Sequence, residues 1–229
     1  FGSFSIDHTP DMSQKRTIFN DEYSWDRLGI ILVYGDVQPT YLVATISDEY
    51  IIDIPGVVTQ ADGGVVLEVD NEPCVNFLVK SGIIKEESIS ISLSPIYVDF
   101  GDGSQPVMRA ITDITAEGYV IFSTAIPVGA TIRCATINAS DVLESAELML
   151  DAALSVPDSS ELLSYSCVSR FAALGENSSA EMDTAASLIG NRLPYMLTYS
   201  GGEVCPVPGP NQGETINQFH NFTIVSCLF

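Results

Sequence analysis

Positive charge is scarce in this sequence. Nine Lys and Arg stand against 30 Asp and Glu, a formal net charge of −21, and the only lysines are Lys15, Lys80 and Lys85. Nucleic-acid binding needs basic side chains to neutralise phosphates, and an anionic membrane surface asks for the same. Both partner classes are excluded as expectations. The acids are dispersed along the chain, which reads as a solubilising surface, with a salt-adapted source as the lesser alternative. Long apolar runs are missing too: no stretch of 18 residues is uninterrupted, so no membrane span is expected. Histidine is down to His8 and His220, too few for most metal enzymes. No GxSxG elbow, phosphate-binding P-loop or HExxH motif occurs. The five cysteines, Cys74, Cys134, Cys167, Cys205 and Cys227, are odd in number, widely spaced and form no CxxC pair. They read as buried thiols in a reducing, cytoplasmic compartment. The N-x-S/T matches at Asn138, Asn177 and Asn221 then carry no meaning. Phe1 to Asp11 is too mixed for a secretory signal, and the missing initiator Met suggests a processed or excised piece.

Hydrophobic residues make up 46% of the 229 positions, ample for a core. Residues 29–34 (GIILVY) and 41–46 (YLVATI) read as two strands split by Gly35 to Pro39, and Val65 to Val69 as a third. Pro73 suits a helix start, with Phe77 and Leu78 facing inward and Gly82 as its stop. The strand-to-helix step near residue 70 is the expected boundary between segments 1–68 and 69–229. Residues 89–98 read as a strand, and 107–137 as several short ones with close turns, which favours antiparallel pairing. Val142, Leu143, Ala146, Met149, Leu150 and Ala153 recur at helical spacing, capped by Ser140 or Asp141. Met182, Ala185, Ala186, Ile189 and Leu193 form a second stripe, opened by Ser178 and Glu181 as a capping box and ended by Pro194. Leu162 to Phe171, Tyr195 to Val204 and Asn221 to Phe229 read as strands. The sum is an α+β fold, predominantly antiparallel sheet layers covered by a few helices.

Three segments hold residues with chemistry. In Ser164 to Phe171, Arg170 offers five fixed donors to a carboxylate, either a ligand's or one of the chain's own. In Tyr199-Ser200-Gly201-Gly202-Glu203, paired glycines precede a lone carboxylate that can receive an amine, pair with Arg170, or belong to a structural turn. In Phe219-His220-Asn221-Phe222-Thr223, His220 is a base, a haem ligand or a hydrogen-bonded structural residue.

The order SC-x-S-R-F, a helix, Y-x-G-G-E, then H-N-x-T and an apolar strand resembles the C-terminal half of the FIST domain, an intracellular signal-transduction sensor. Residues 57–79 look like the family's junction into a helix, and Val107-Met108-Arg109-Ala110-Ile111 and Ile126-Pro127-Val128-Gly129 match further short elements. The likeness covers about residues 65–229, and 1–64 look like the closing portion of an N-terminal FIST half. The chain departs from the family pattern at Cys74, where a small residue is usual, at Ser169, where glycine is usual, and in the turn from Pro206 to Gly213. The resemblance implies a sensory input domain that does no chemistry of its own and passes its state to a fused output domain, as a monomer or a homodimer. Its ligand would be an amino acid or similar metabolite, held where Ser166, Cys167, Arg170, Tyr199, Glu203 and Asn221 converge. Arg170 would take a carboxylate and Glu203 an amine. The alternatives are a haem-based gas sensor with His220 or a cysteine as axial ligand, a protein-interaction scaffold, and a thiol hydrolase built on Cys167, His220 and Glu203.

Overall fold

The computed structural model describes residues 1–6, 14–25, 28–84 and 93–229. In chain order its strands are β1 (Gly2–Ser3), β2 (Thr17–Phe19), β3 (Glu22–Ser24), β4 (Thr40–Ala44), β5 (Gly56–Asp62), β6 (Val65–Val69), β7 (Glu72–Pro73), β8 (Ile96–Asp99), β9 (Val107–Arg109), β10 (Ile111–Ile114), β11 (Val120–Phe122), β12 (Thr131–Cys134), β13 (Leu162–Cys167), β14 (Tyr195–Ser200), β15 (Glu203–Pro208), β16 (Thr215–His220) and β17 (Ile224–Leu228). The helices are α1 (Cys74–Lys80), α2 (Ala139–Leu154), α3 (Val168–Leu174) and α4 (Ala180–Ile189). An α+β fold results, and among the described residues every strand pairing is antiparallel except that of β13 with β14.

Two sheets build the bulk. An eight-stranded sheet runs β10-β11-β6-β5-β12-β8-β9, with β7 on β6. Its strands are short and rich in Val and Ile, and Val58, Val66, Ile96, Val98, Val120 and Ile132 turn inward at zero exposure. They close on Phe77 and Leu78 of α1, which face the core as expected. Gly56 permits this closure: a Cβ there would sit 2.5 Å from Val69 Cγ1 and 2.8 Å from the Phe77 ring.

The second sheet runs β14-β13-β17-β4. One face is covered by α2 and α4, whose Met149, Leu150, Ala153, Ala185 and Ile189 pack on Leu162, Ile224 and Leu228. Both apolar stripes are therefore core faces. A three-stranded sheet, β1-β15-β16, packs along β4, where the Cys205 thiol reaches the Leu42 carbonyl at 4.0 Å. The boundary expected at 68/69 falls at the end of β6, and strands from both sides of it share sheets: β4 pairs with β17, and β6 with β7 and β11.

Several local expectations are corrected. Residues 29–34 form no strand. Leu28 to Tyr34 lie outside regular structure, with Ile31 and Tyr34 more than 80% exposed. Strand propensity needs an edge to pair with, and β4 already pairs with β17 and packs against β15. The strand read over 89–98 is shorter, at Ile96–Asp99, and its residues 89–92 lie outside the described part. The cap of α2 is Asn138, one turn earlier than read. Its Oδ1 accepts from the Ser140 and Asp141 N–H groups, and Asp141 Oδ2 accepts from the Asn138 N–H at 2.9 Å. Such a capping box is worth about 1 kcal/mol. In α4 the expected box is absent because Glu181 is buried and turned to another partner. That helix stops at Gly190 in a left-handed conformation, before Pro194 is reached.

Candidate functional site

The β13–β14 pair is parallel, so the chain crosses over through α3 and α4 to return in the same direction. Parallel strands require such a crossover, and crevices outside their carboxyl ends are where such sheets hold ligands. Here those ends are Cys167 and Ser200, directly opposite each other. The stretch read as a strand to Phe171 breaks at Cys167, so Arg170 stands on α3, one turn from the strand end. The stretch read as a strand from Tyr195 to Val204 breaks at Gly201-Gly202 and restarts with Glu203 at the head of β15. Glu203 is paired across the ladder with His220, and the Cys167 N–H bonds the Thr223 carbonyl at 2.9 Å.

Arg170, fully enclosed, is spent within the fold. Its Nε and Nη2 donate to Glu181 Oε1 at 2.9 and 2.5 Å, Nη1 to Ser145 Oγ at 2.8 Å, and Nη2 also to the Val142 carbonyl at 2.9 Å. Ser166 Oγ donates to Glu181 Oε2 at 2.8 Å and accepts from Arg170 Nε at 3.2 Å. Both partners of this ion pair have zero exposure. The guanidinium joins α3, α2 and α4 to the end of β13, and the carboxylate it was expected to find is the chain's own Glu181.

Glu203 is the second enclosed acid. Ser200 Oγ lies 2.5 Å from Oε1 and Thr223 Oγ1 2.8 Å from Oε2. Burial raises its pKa from 4.5 to about 8, against the hydrogen bonds from Ser200 and Thr223 and the pull of Arg170. Near neutrality it is a carboxylic acid more than a carboxylate. Cys167 lies beside it. Burial first, then Glu203, push that thiol up to about 11, although the backbone N–H groups of Ser169 and Phe222 and the Ser169 hydroxyl favour the thiolate. Tyr199 is half-buried and its hydroxyl makes no hydrogen bond among the described residues; burial first and the nearby Glu181 carboxylate next raise its pKa. Phe171 stacks edge-on against it at 5.0 Å between ring centroids.

His220, opposite Glu203 on the β15–β16 ladder, and Asn221 after it are buried. The His220 imidazole donates to the Cys205 backbone carbonyl, while Nε2 is buried without a partner; burial lowers its pKa to about 4. Asn221 Oδ1 accepts from Ser123 Oγ at 2.5 Å and from the Ala110 N–H at 3.2 Å, tying the turn between β16 and β17 to the segments that flank β10 and β11. Between Asn221 and Thr223, Phe222 is fully buried with φ at +58°, a strained conformation for a bulky residue and a mark of sites held by their surroundings.

The structure thus brings together Ser166, Cys167, Arg170, Tyr199 and Glu203, with His220 at the end of β16 and Asn221 in the turn that follows. Sequence reasoning missed Ser145, Glu181, Ser200 and Thr223, because their roles come from contacts between elements and leave no periodic trace. As a thiol-hydrolase trio the set is poorly tuned: the His220 imidazole donates to the Cys205 backbone carbonyl, and burial raises the Cys167 thiol to about 11. Haem does not fit His220 either, since the imidazole is 3% exposed and a porphyrin would reach Nε2 only if the strands parted.

Gly202, at φ +135°, makes the turn that carries the chain from β14 to Glu203. A Cβ there would overlap the Phe219 ring and lie 3.2 Å from Asn221 Nδ2. Gly202→Ala is expected to cost about 1–3 kcal/mol, the range of overpacking. A thermal unfolding midpoint unchanged from the parent would show that the turn relaxes freely.

The FIST C domain model matches residues 74–206, more than half of the chain, and ends before His220 and Asn221. No curated protein and no solved structure matches the chain.

Proposed function

Because the chain belongs to the FIST C domain family, which is a signal-transduction sensor domain, we propose that it is an input module that binds a small metabolite, an amino acid or similar compound. The observation carrying this reading is Glu203: an enclosed acid, raised to about 8, beside the carboxyl ends of the parallel pair β13 and β14. An acid poised near neutrality gains most from an arriving amine, because the amine's positive charge favours the ionised form. The aromatic pair Phe171 and Tyr199 is the part of the cluster nearest solvent, with Phe171 41% exposed. Its movement would open the cluster. Differential affinity for open and closed forms is what lets a ligand shift the equilibrium that an output domain reads. The domain needs no catalytic step for this role.

A thermal-shift screen of the chain against amino acids, small carboxylates and haemin tests the proposal. Binding to the folded state alone adds ~2.7 kcal/mol at 100 times the dissociation constant. A hit that weakens in Glu203→Gln is the expected result. A flat screen at millimolar concentrations would turn the reading toward a scaffold that engages proteins.

A further inference from the structure

Arg109 is a buried cation with no counter-charge among the described residues. It ends β9, the last strand of the eight-stranded sheet, and lies against β16 at 4% exposure. Nη1 donates to the carbonyls of Phe219, at 2.5 Å, and Met108, at 3.2 Å. Nε is buried with no acceptor. Among the described residues no carboxylate comes within ion-pair distance of it, in a chain that carries 30 acids. Arg170, equally buried, has its counter-charge in Glu181. Burial alone lowers the Arg109 pKa to about 10. Backbone carbonyls replace only part of the solvation that a guanidinium gives up, so an unpaired one favours an incoming anion.

The surroundings select the anion. The Phe100 and Phe219 rings each lie 5.8 Å from the guanidinium carbon, an apolar setting for an organic body. His220, the neighbouring titratable group, is held neutral near pH 7, so the seam carries one positive charge. The net charge of −21 repels multiply charged anions.

We propose that Arg109 is the recognition point for a small organic monocarboxylate, bound at the seam of β9 and β16 with its oxygens on the Nε edge and its apolar part against Phe100 and Phe219. This rests on the sensor reading and moves the ligand's acid group from Arg170 to Arg109. Planar, paired donors are the geometry that carboxylates take. Sequence offered one hint: Arg109 interrupts the apolar run from Val107 to Ile111.

The test titrates the 229-residue chain with sodium acetate and sodium benzoate, with chloride and phosphate at matched ionic strength as controls. Unfolding midpoint and the arginine Nε–H NMR signals are followed together. The proposal expects the carboxylates to raise the midpoint beyond chloride and to move one arginine signal. That signal is the one missing from the Arg109→Lys spectrum, and benzoate binds this variant about tenfold or more weakly, given the loss of a bidentate charge-assisted contact. Equal shifts with chloride or phosphate would overturn it, as would a folded Arg109→Met that binds benzoate like the parent. Should neither variant fold, a wild-type spectrum in which no arginine signal moves overturns it by itself. A screened ligand lacking an acid group would leave the sensor reading standing while removing Arg109 from it.

Discussion

Arg170→Met is expected to lower the free energy of unfolding by about 3–5 kcal/mol, the cost of leaving one partner of a buried ion pair alone. Domains have only about 5–15 kcal/mol in all, so a large part of the margin would go. Glu181 would lose its counter-ion, and Ser145 and the Val142 carbonyl would lose a donor. The double variant Arg170→Met, Glu181→Leu should recover most of the loss, because it removes both charges and fills the space with apolar atoms. Urea unfolding of the four proteins measures the coupling. A single variant that unfolds like the parent would show that Arg170 is not committed to Glu181. It would then be available to a ligand, as the sequence first suggested.

Glu203 should make the chain less stable as pH rises through neutrality. Its folded pKa of about 8 lies above the ordinary 4.5. Between those values the folded state keeps a proton that the unfolded chain has released. Stability then falls with rising pH, by at most ~1.4 kcal/mol per unit. His220 acts in the opposite sense: depressed from 6.5 to about 4, it weakens the fold as pH falls through that window. The two slopes oppose each other from pH 4.5 to 6.5, and Glu203 is left alone from 6.5 to 8. Cys167, Arg170 and Glu181 are the other charged or titratable groups that bear on it. Glu203→Gln retains a hydrogen-bonding side chain for Ser200 and Thr223, and it should flatten the slope above pH 6.5 and raise stability at pH 8.5. Urea midpoints across the pH series decide this. An unchanged slope would return the Glu203 carboxyl to its ordinary range.

The core helices were legible because an apolar stripe repeats at helical spacing: α2 buries Val142, Ala146, Met149, Leu150 and Ala153, and α4 buries Ala185 and Ile189, though Ala186 of the same stripe is exposed. The closely spaced turns between 107 and 137 likewise announced β9 to β12. Other features were decided by tertiary contact. GIILVY has every local mark of a strand and finds no edge. Ser178 and Glu181 have the spacing of a capping box, yet an arginine eleven residues earlier takes the carboxylate into the interior. The site was readable as a set of segments, through the likeness that SC-x-S-R-F and Y-x-G-G-E carry. Its internal pairing was not, since Arg170 has 30 acids to choose from and sequence does not say which one the crossover places beside it.

The position of β17 has a consequence for how the chain is made. This strand lies between β13 and β4, and Ala44 of β4 pairs with Ile224, 180 residues later. Bringing such distant segments together carries a large loop-closure cost and places the sheet among slow-forming, high-contact-order arrangements. On the ribosome β4 must wait for β17 to emerge, while β5 to β12 already have all their strand partners. The eight-stranded sheet can therefore form during synthesis, and the Glu203 cluster, which needs Thr223 from the turn into β17, is assembled among the last parts of the molecule.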